Sequence, residues 1–512
     1  MIQKLLRSDT GVLILLALVF LTLHVATSGQ YGFHRDELAT LDDARHLEWG
    51  FVAYPPLTPA VGRFALSLFG ISLIGIRLFP IIALSTSVVL SGFMARELGG
   101  NRRAQIFAAV AVAIVPIVTI QTNLLQYVSF DYLWGVLLTY FLMRLLNSEN
   151  PRWWLALGAV IGLGMMTKYT MAFFAASLVG ALLITQGRRY LFSPWLWIGV
   201  AVSLLIFMPN LIWQWRHNFI SLEFLRHIHA RDVRWGRTKG FLPEQLFVCN
   251  NVLLLPLSFM GLWFYCRERK YRLLGGMFVL AFALFYIAKA RSYYLGPLYP
   301  MLAAAGVVVW ERWASNSDIS TDAPGRRVKR QPKRSRLIRA TTWTLVAVGA
   351  ITSFALFVPV APINSALWNT TAKLQDDFKE EIGWTDLVRT VARVYEELPA
   401  DQRRHTGIIV GNYGEAGAIN LFGPNYGLPP AISGTNSFWY RSYPKDQPQT
   451  LIAVGLDEDF LKEHLGPCDL VAHNANPYGV INEESRDHPD IYLCQGLLQP
   501  WPEFWPHFQR FG

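Results

Sequence analysis

The sequence predicts a polytopic α-helical membrane protein of about eleven transmembrane helices, ending in a small soluble α/β domain. Three observations predict it. Only 16% of the 512 residues are charged, where a water-soluble protein carries about 25%. Mean hydropathy is +0.28, and apolar windows of about 20 residues recur as far as residue 362. Past that point the windows stop, and short β-like runs alternate with helical pattern. The implied domains are 1–362 and 363–512.

A window of about 19 residues places spans near 11–29, 78–97, 104–121, 131–146, 153–167, 169–187, 194–212, 246–265, 272–289, 294–312 and 340–361. One such window alone would fit a signal peptide; with ten more behind it, the first reads as a retained span. Only Lys168 separates 153–167 from 169–187, so this pair is either a tight out-facing turn or one broken helix. Two long loops interrupt the series. The first, 30–76, holds an amphipathic stretch at 58–69 suited to a membrane surface; the second, 214–245, is rich in His, Arg and Trp.

The net charge of +10 is carried largely by short clusters between spans: Arg102 and Arg103, Arg188 and Arg189, 267–272 and 326–339. Basic residues beside spans mark cytoplasmic loops and not a nucleic-acid-binding face. With Lys4 and Arg7 inside, every even-numbered span ends in such a cluster. An odd count then sends the tail to the outer face of the cytoplasmic membrane, periplasmic or extracellular. The loop 315–339, basic and without hydrophobic periodicity, reads as a cytoplasmic linker. In the tail, β-like runs at 407–410, 451–454, 469–471 and 491–493 flank a helical stretch at 384–398. Gly411-Asn412-Tyr413-Gly414 lacks the spacing of a dinucleotide loop. Cys468 and Cys494 lie in the tail, where a disulfide stays open, whereas Cys249 and Cys266 belong to one apolar segment.

Candidate chemistry begins with His34-Arg35-Asp36-Glu37. Adjacent carboxylates at a membrane surface are solvated, paired or used; used, they act as a general base or hold a divalent cation. Tyr54-Pro55-Pro56-Leu57 follows, a turn that re-aims the loop or merely stiffens it. Asp131, at the edge of an apolar span, is either a functional carboxylate or a helix N-terminal one. Lys168, Lys289 and Arg291, the last two preceding Tyr293, fall at the outer leaflet against the positive-inside trend. They suit an anionic ligand such as a lipid phosphate, or snorkel to headgroups. His217, with Trp213, Gln214, His227 and His229, can clamp a phosphate or ligate a metal, although its spacing matches no strong zinc signature.

In this order, Asp36-Glu37, Tyr54-Pro55-Pro56-Leu57, the segment 77–100 ending Ala95-Arg96-Glu97-Leu98-Gly99-Gly100, Asp131, Gly162-Leu163-Gly164-Met165-Met166-Thr167-Lys168-Tyr169, Pro209-Asn210 with Trp213-Gln214, and 293–300 resemble the family 39 glycosyltransferases of the GT-C fold. That group includes protein O-mannosyltransferases and the aminoarabinose transferase that modifies lipid A. The resemblance covers about residues 10 to 310; in the tail, Tyr413-Gly414-Glu415-Ala416-Gly417-Ala418 and Tyr426-Gly427-Leu428-Pro429-Pro430 are similar to bacterial members. It implies transfer of a sugar from a polyprenyl phosphate to a glycolipid, glycan or protein at the outer face. Asp36 matches the family's catalytic base, with Glu37 supporting it or holding a cation, and Asp131 matches a second acidic position near donor or acceptor. Lys168, Lys289 and Arg291, with Tyr54, His217 and Tyr293, are then substrate-binding candidates. A divalent metal stays open, with Glu37 and His217 as its candidate ligands, because His34 and Arg35 precede the acidic pair here and metal use varies in the family. A phosphate that leaves as a stable anion calls for no nucleotide or redox cofactor.

Two rivals remain. A flippase or transporter of lipid-linked sugars commonly shows inverted repeats and a midplane site; no internal repeat is evident, and the acidic motif sits in an outer loop. The other is a membrane scaffold whose tail binds a partner.

Overall fold

Apolar helices packed backbone to backbone form the larger part of the molecule. The computed structural model describes residues 6–316, 319–321, 327–329 and 333–512. In chain order the main helices are α1 (Asp9–Thr27), α2 (Arg35–Arg45), α3 (Leu57–Phe69), α4 (Leu73–Glu97), α5 (Arg102–Ala113), α6 (Pro116–Gln121), α7 (Tyr127–Ser148), α8 (Trp153–Met165), α9 (Met171–Ile184), α10 (Pro194–Arg216), α11 (Ile220–Arg234), α12 (Phe241–Phe247), α13 (Leu255–Arg267), α14 (Arg272–Ile287), α15 (Tyr299–Asn316) and α16 (Lys333–Phe357). In the tail follow α17 (Ala366–Leu374), α18 (Trp384–Glu397) and α19 (Tyr413–Phe422).

Among the described residues, six helical segments are long and apolar enough to cross a membrane, or eight if two bent pairs each count as one. The expected eleven exceed this for local reasons. Pro116 cannot donate a backbone hydrogen bond, and Val115 before it is extended, so the expected span 104–121 is split into α5 and α6. The pair 153–167 and 169–187 forms two helices, α8 and α9, joined by a turn at Lys168, and α9 bends by 105° into the next short helix. The expected outer loop 214–245 is largely helical, as α11 and α12. The basic linker lies partly outside the described residues, as does Lys4; within it β1 (Ile319–Thr321) and β2 (Arg327–Lys329) pair antiparallel, and its end forms the start of α16.

Glycines let these helices touch. A Cβ on Gly306 of α15 would stand 1.9 Å from the Leu257 carbonyl oxygen of α13, and one on Gly158 of α8 2.0 Å from that of Gly199 in α10. Lipid offers no hydrophobic drive between helices, so close backbone contact and the dispersion it brings hold them together.

The tail carries a five-stranded sheet in the order β4 (Ala431–Ser433), β3 (Thr406–Val410), β5 (Thr450–Val454), β7 (Asp490–Cys494), β6 (Cys468–His473). Strands β4, β3 and β5 are parallel; β7 and β6 are antiparallel and are joined by a Cys468–Cys494 disulfide. Alternation sorts each strand's side chains between two cores. Ile409, Leu451 and Ala453 meet Trp501, Phe504 and Phe508 on one face. Ile408, Val410, Ile452 and Val454 face α18 and α19 on the other, in a core that also contains Leu38 and Leu41 of α2 and Ile76 and Ala83 of α4. The tail therefore shares its core with the membrane part.

A buried ion pair fixes this junction. Arg77 of α4 and Glu37 of α2 are both fully buried. Arg77 donates to both Glu37 carboxylate oxygens at 2.9 and 2.6 Å, to the carbonyls of Ser28 and Gly32 at 2.7 and 3.0 Å, and to Glu381 of the tail at 3.2 Å. Glu37 also accepts from the backbone N–H of His34 and of Leu125. The substitution Arg77→Met is expected to cost about 3–5 kcal/mol, because a carboxylate is left buried without its partner. Thermal unfolding of the purified protein in detergent checks this, and Arg77→Lys should recover only part of the loss, since an ammonium cannot make the two-pronged contact.

Candidate active site

Helix α2 starts where His34, in extended backbone, accepts the Asp36 N–H on Nδ1 while Glu37 accepts the His34 N–H. This reciprocal cap sets the helix register. Consecutive helical residues point about 100° apart. Glu37 is thereby committed to Arg77, and Asp36 turns to where two cavities meet and lines both.

The first cavity, of about 410 Å³, has apolar walls that include Phe173, Phe224, Leu225 and Phe285, and cations that include Arg35, Lys168, Arg231, Lys289 and Arg291. The second, of about 680 Å³, is more polar and is walled by both parts, the tail contributing Asp376, Asp377, Lys379, Glu380, Glu483 and Arg486. Asp36 accepts from the Gln126 amide and, at 2.9 Å, from the Tyr413 hydroxyl of the tail. Burial pushes its carboxyl up, but His34, Arg35, the Tyr413 hydroxyl and Arg291 outweigh burial and hold it below the usual carboxylate range. It is therefore ionised at neutral pH and able to accept a proton.

Five of the residues expected from the sequence line the first cavity: Asp36, Tyr54, Lys168, Lys289 and Arg291. Lys168 makes no ion pair among the described residues. Its ammonium rests on the rings of Tyr294, Tyr127 and Tyr293 at 3.9, 4.4 and 4.9 Å from their centroids, a cation–π cage that stabilises a buried charge without neutralising it. Arg291 is held by Asp232 through two bonds of 2.7 and 3.0 Å. Tyr54 donates to Asp43 at 2.7 Å, two turns along α2 from Asp36. Lys289 holds a left-handed backbone, φ 46°, a conformation disfavoured outside glycine.

The others fall elsewhere. Tyr293 lines the second cavity. Asp131 is buried in α7, accepting from Thr170 at 3.0 Å and lying within electrostatic reach of Lys168. His217 stacks on Trp213 at 4.0 Å, and Trp213 donates to Glu48. With Asn210 donating to the Trp49 carbonyl at 2.9 Å, that motif is a latch holding the first loop to α10. As metal ligands, Glu37 and His217 do not converge: Glu37 has both oxygens engaged, and no three His, Cys, Asp or Glu side chains among the described residues gather as a metal would require.

Sequence reasoning missed Arg77, Gln126, Asp232 and Tyr413 as parts of the site. Tyr413 stood in a motif quoted from the tail, but nothing local connects it to Asp36, which is 377 positions away.

A family profile described as dolichyl-phosphate-mannose-protein mannosyltransferase matches residues 53–213, the stretch that holds Tyr54, Asp131 and Lys168. The chain is 26% identical over 274 residues to an undecaprenyl phosphate-α-4-amino-4-deoxy-L-arabinose arabinosyl transferase of Pseudomonas fluorescens, covering 49% of this chain and 47% of that one. It is 26% identical over 240 residues to a lipopolysaccharide core galacturonosyltransferase of Rhizobium johnstonii, covering 45% and 47%. It thus spans about half the length of the curated relatives it matches. Among solved structures, ArnT from Cupriavidus metallidurans bound to undecaprenyl phosphate superposes with a TM-score of 0.58 at 16% identity, over 95% of this chain and 98% of that one. An Archaeoglobus fulgidus oligosaccharyltransferase superposes with 0.51 at 13% identity, over 92% and 73%. Over about half its length the chain is thus similar in sequence to membrane sugar transferases, and its fold is the GT-C fold of ArnT.

Proposed function

We propose that the protein is a membrane glycosyltransferase that moves a sugar from a polyprenyl-phosphate donor to a glycolipid, glycan or protein acceptor at the outer face of the cytoplasmic membrane. The observation that carries this reading is an ionised carboxylate, Asp36, at the junction of an apolar, cation-lined cavity and a polar one. An isoprenoid phosphate needs the first kind of surface and a hydroxylated or aminated acceptor needs the second. In this reading about eleven passes are completed by the shorter and bent helices. The N-terminus is cytoplasmic, 1–362 is the transferase domain, and 363–512 is an outer-face domain whose disulfide suits an oxidising compartment.

The donor's phosphate lies among Lys168, Lys289 and Arg291, with its sugar towards Asp36. The acceptor enters from the second cavity and gives its proton to Asp36 as its oxygen or nitrogen attacks the anomeric carbon. The bond between that carbon and the phosphate oxygen breaks, and the bonding pair leaves with the polyprenyl phosphate. Added negative charge on the phosphate is met by the caged ammonium of Lys168, in a site low enough in dielectric for the charge to count. Attack from the face opposite the phosphate inverts the anomeric centre. Asp131 and Glu37 act from behind: Asp131 biases Lys168, and Glu37 holds α2.

Reconstituted protein should consume undecaprenyl phosphate carrying 4-amino-4-deoxy-L-arabinose, galacturonic acid or mannose only when lipopolysaccharide or another envelope acceptor is supplied. Movement of intact donor across the bilayer without its consumption would instead make the protein a flippase. Asp36→Asn should lower kcat by about 10²–10⁴-fold, the usual contribution of a general base, while undecaprenyl phosphate still binds. Lys168→Met should raise the donor KM about ten- to hundredfold, matching the loss of one charged contact. Kinetics at saturating acceptor separate the two effects.

A further inference from the structure

Among the described residues, one of the two hydrogen bonds on the Asp36 carboxylate comes from outside the membrane helices. Tyr413 donates to Oδ1 at 2.9 Å, while Gln126 at the entry to α7 serves Oδ2. The hydroxyl is delivered with little freedom. Tyr413 opens α19, where Asn412 accepts from the N–H groups of Gly414 and Glu415 at 2.7 and 3.0 Å. The Asn412 amide donates to Glu484 at 3.2 Å, Glu484 accepts from Arg35 at 3.4 Å, and the Arg35 guanidinium stands 5.8 Å above the Tyr413 ring. Helix α19 reaches α2 through glycines: a Cβ on Gly417 would lie 2.7 Å from the Leu38 backbone, and one on Gly414 3.0 Å from the Arg35 Cβ. Bulkier residues there would lift Tyr413 away from the carboxylate.

Resting on the reading of Asp36 as the base, we propose that Tyr413 is a positioning residue for the transfer: the tail completes the catalytic centre by holding the Asp36 carboxylate ionised and oriented. A buried tyrosine that merely satisfies its hydroxyl would matter to stability alone. Here the acceptor of its bond is the group that must take the proton, and a hydrogen bond donated to a carboxylate favours the ionised form. The other groups facing Asp36 are His34 and Arg35 on its own helix, Tyr54 in the following loop, Tyr127 at the start of α7 and Arg291 after α14. Tyr413→Phe leaves all of them in place.

The test uses the full chain in liposomes with whichever of the three undecaprenyl-phosphate sugars is consumed. For Tyr413→Phe, kcat should fall about tenfold with the donor KM within about twofold. The acid limb of the pH–rate profile should move up by about one unit, since loss of the donated bond lets Asp36 take its proton at higher pH. Tyr426→Phe, an exposed tyrosine in the same tail, should change neither. A lower melting temperature with the pH profile unmoved would overturn the proposal in favour of a structural role, and a change confined to donor KM would overturn it in favour of substrate contact. If Asp36→Asn is inactive while Tyr413→Phe behaves as wild type, the inference fails and the base survives. If Asp36→Asn remains active, both fail.

Discussion

The pairing of Arg77 with Glu37 is the constraint on which the rest of the site depends. It is buried on both sides and satisfied on nearly every atom, and it ties the end of α1, the cap of α2, the wall of α4, the approach to α7 and the tail to one ion pair. A buried pair of this kind adds little net stability over a well-packed apolar pair, but breaking it leaves a stranded charge. Its effect is geometric. It holds the helix that carries Asp36 at a fixed rotation, and two neighbouring carboxylates acquire opposite duties from the 100° between them.

Charge around the cavities follows a comparable division. Arg291 is committed to Asp232 and Arg35 to tail carboxylates, whereas Lys168 rests on aromatic faces. A cation held by rings keeps its hydrogen-bonding capacity for a ligand, and one held by a carboxylate has spent part of it. On the tail side, Arg441 engages both Asp42 and Asp43, and Asn420 donates to Asp42 at 2.8 Å. Helix α2 is thus gripped along its whole length by the domain that comes last in the chain.

Elements whose causes are local were legible in the sequence. The four β-like runs of the tail are β3, β5, β6 and β7, the helical stretch at 384–398 is α18, and the amphipathic stretch at 58–69 is α3. Strand β4, only three residues long, offered too little alternation to register. Hydropathy gives more spans than there are long straight helices because it registers apolar length without bends: α9 and α12 turn sharply within windows that average as one segment. Asp36 and Lys168 stood out because a charge beside apolar sequence is costly wherever it folds. Arg77 did not, since it sits in a run that resembles any span boundary, and its partner lies 40 positions away. Tyr413 was hidden more deeply still, because only the close approach of α19 to α2 brings it to Asp36.

The core shared between tail and membrane part imposes an order on biosynthesis. Leu38 and Leu41 belong to the same apolar cluster as Val388, Val410 and Ile452, yet the ribosome makes them more than 340 residues earlier. At about 5–20 residues per second, α2 waits tens of seconds for the surface that will cover it. Throughout that interval Arg35, Asp42 and Asp43 lack their tail partners. The membrane helices are therefore made well before α2 is covered, and a truncated product lacking the tail would leave Asp36 without its hydrogen bond from Tyr413.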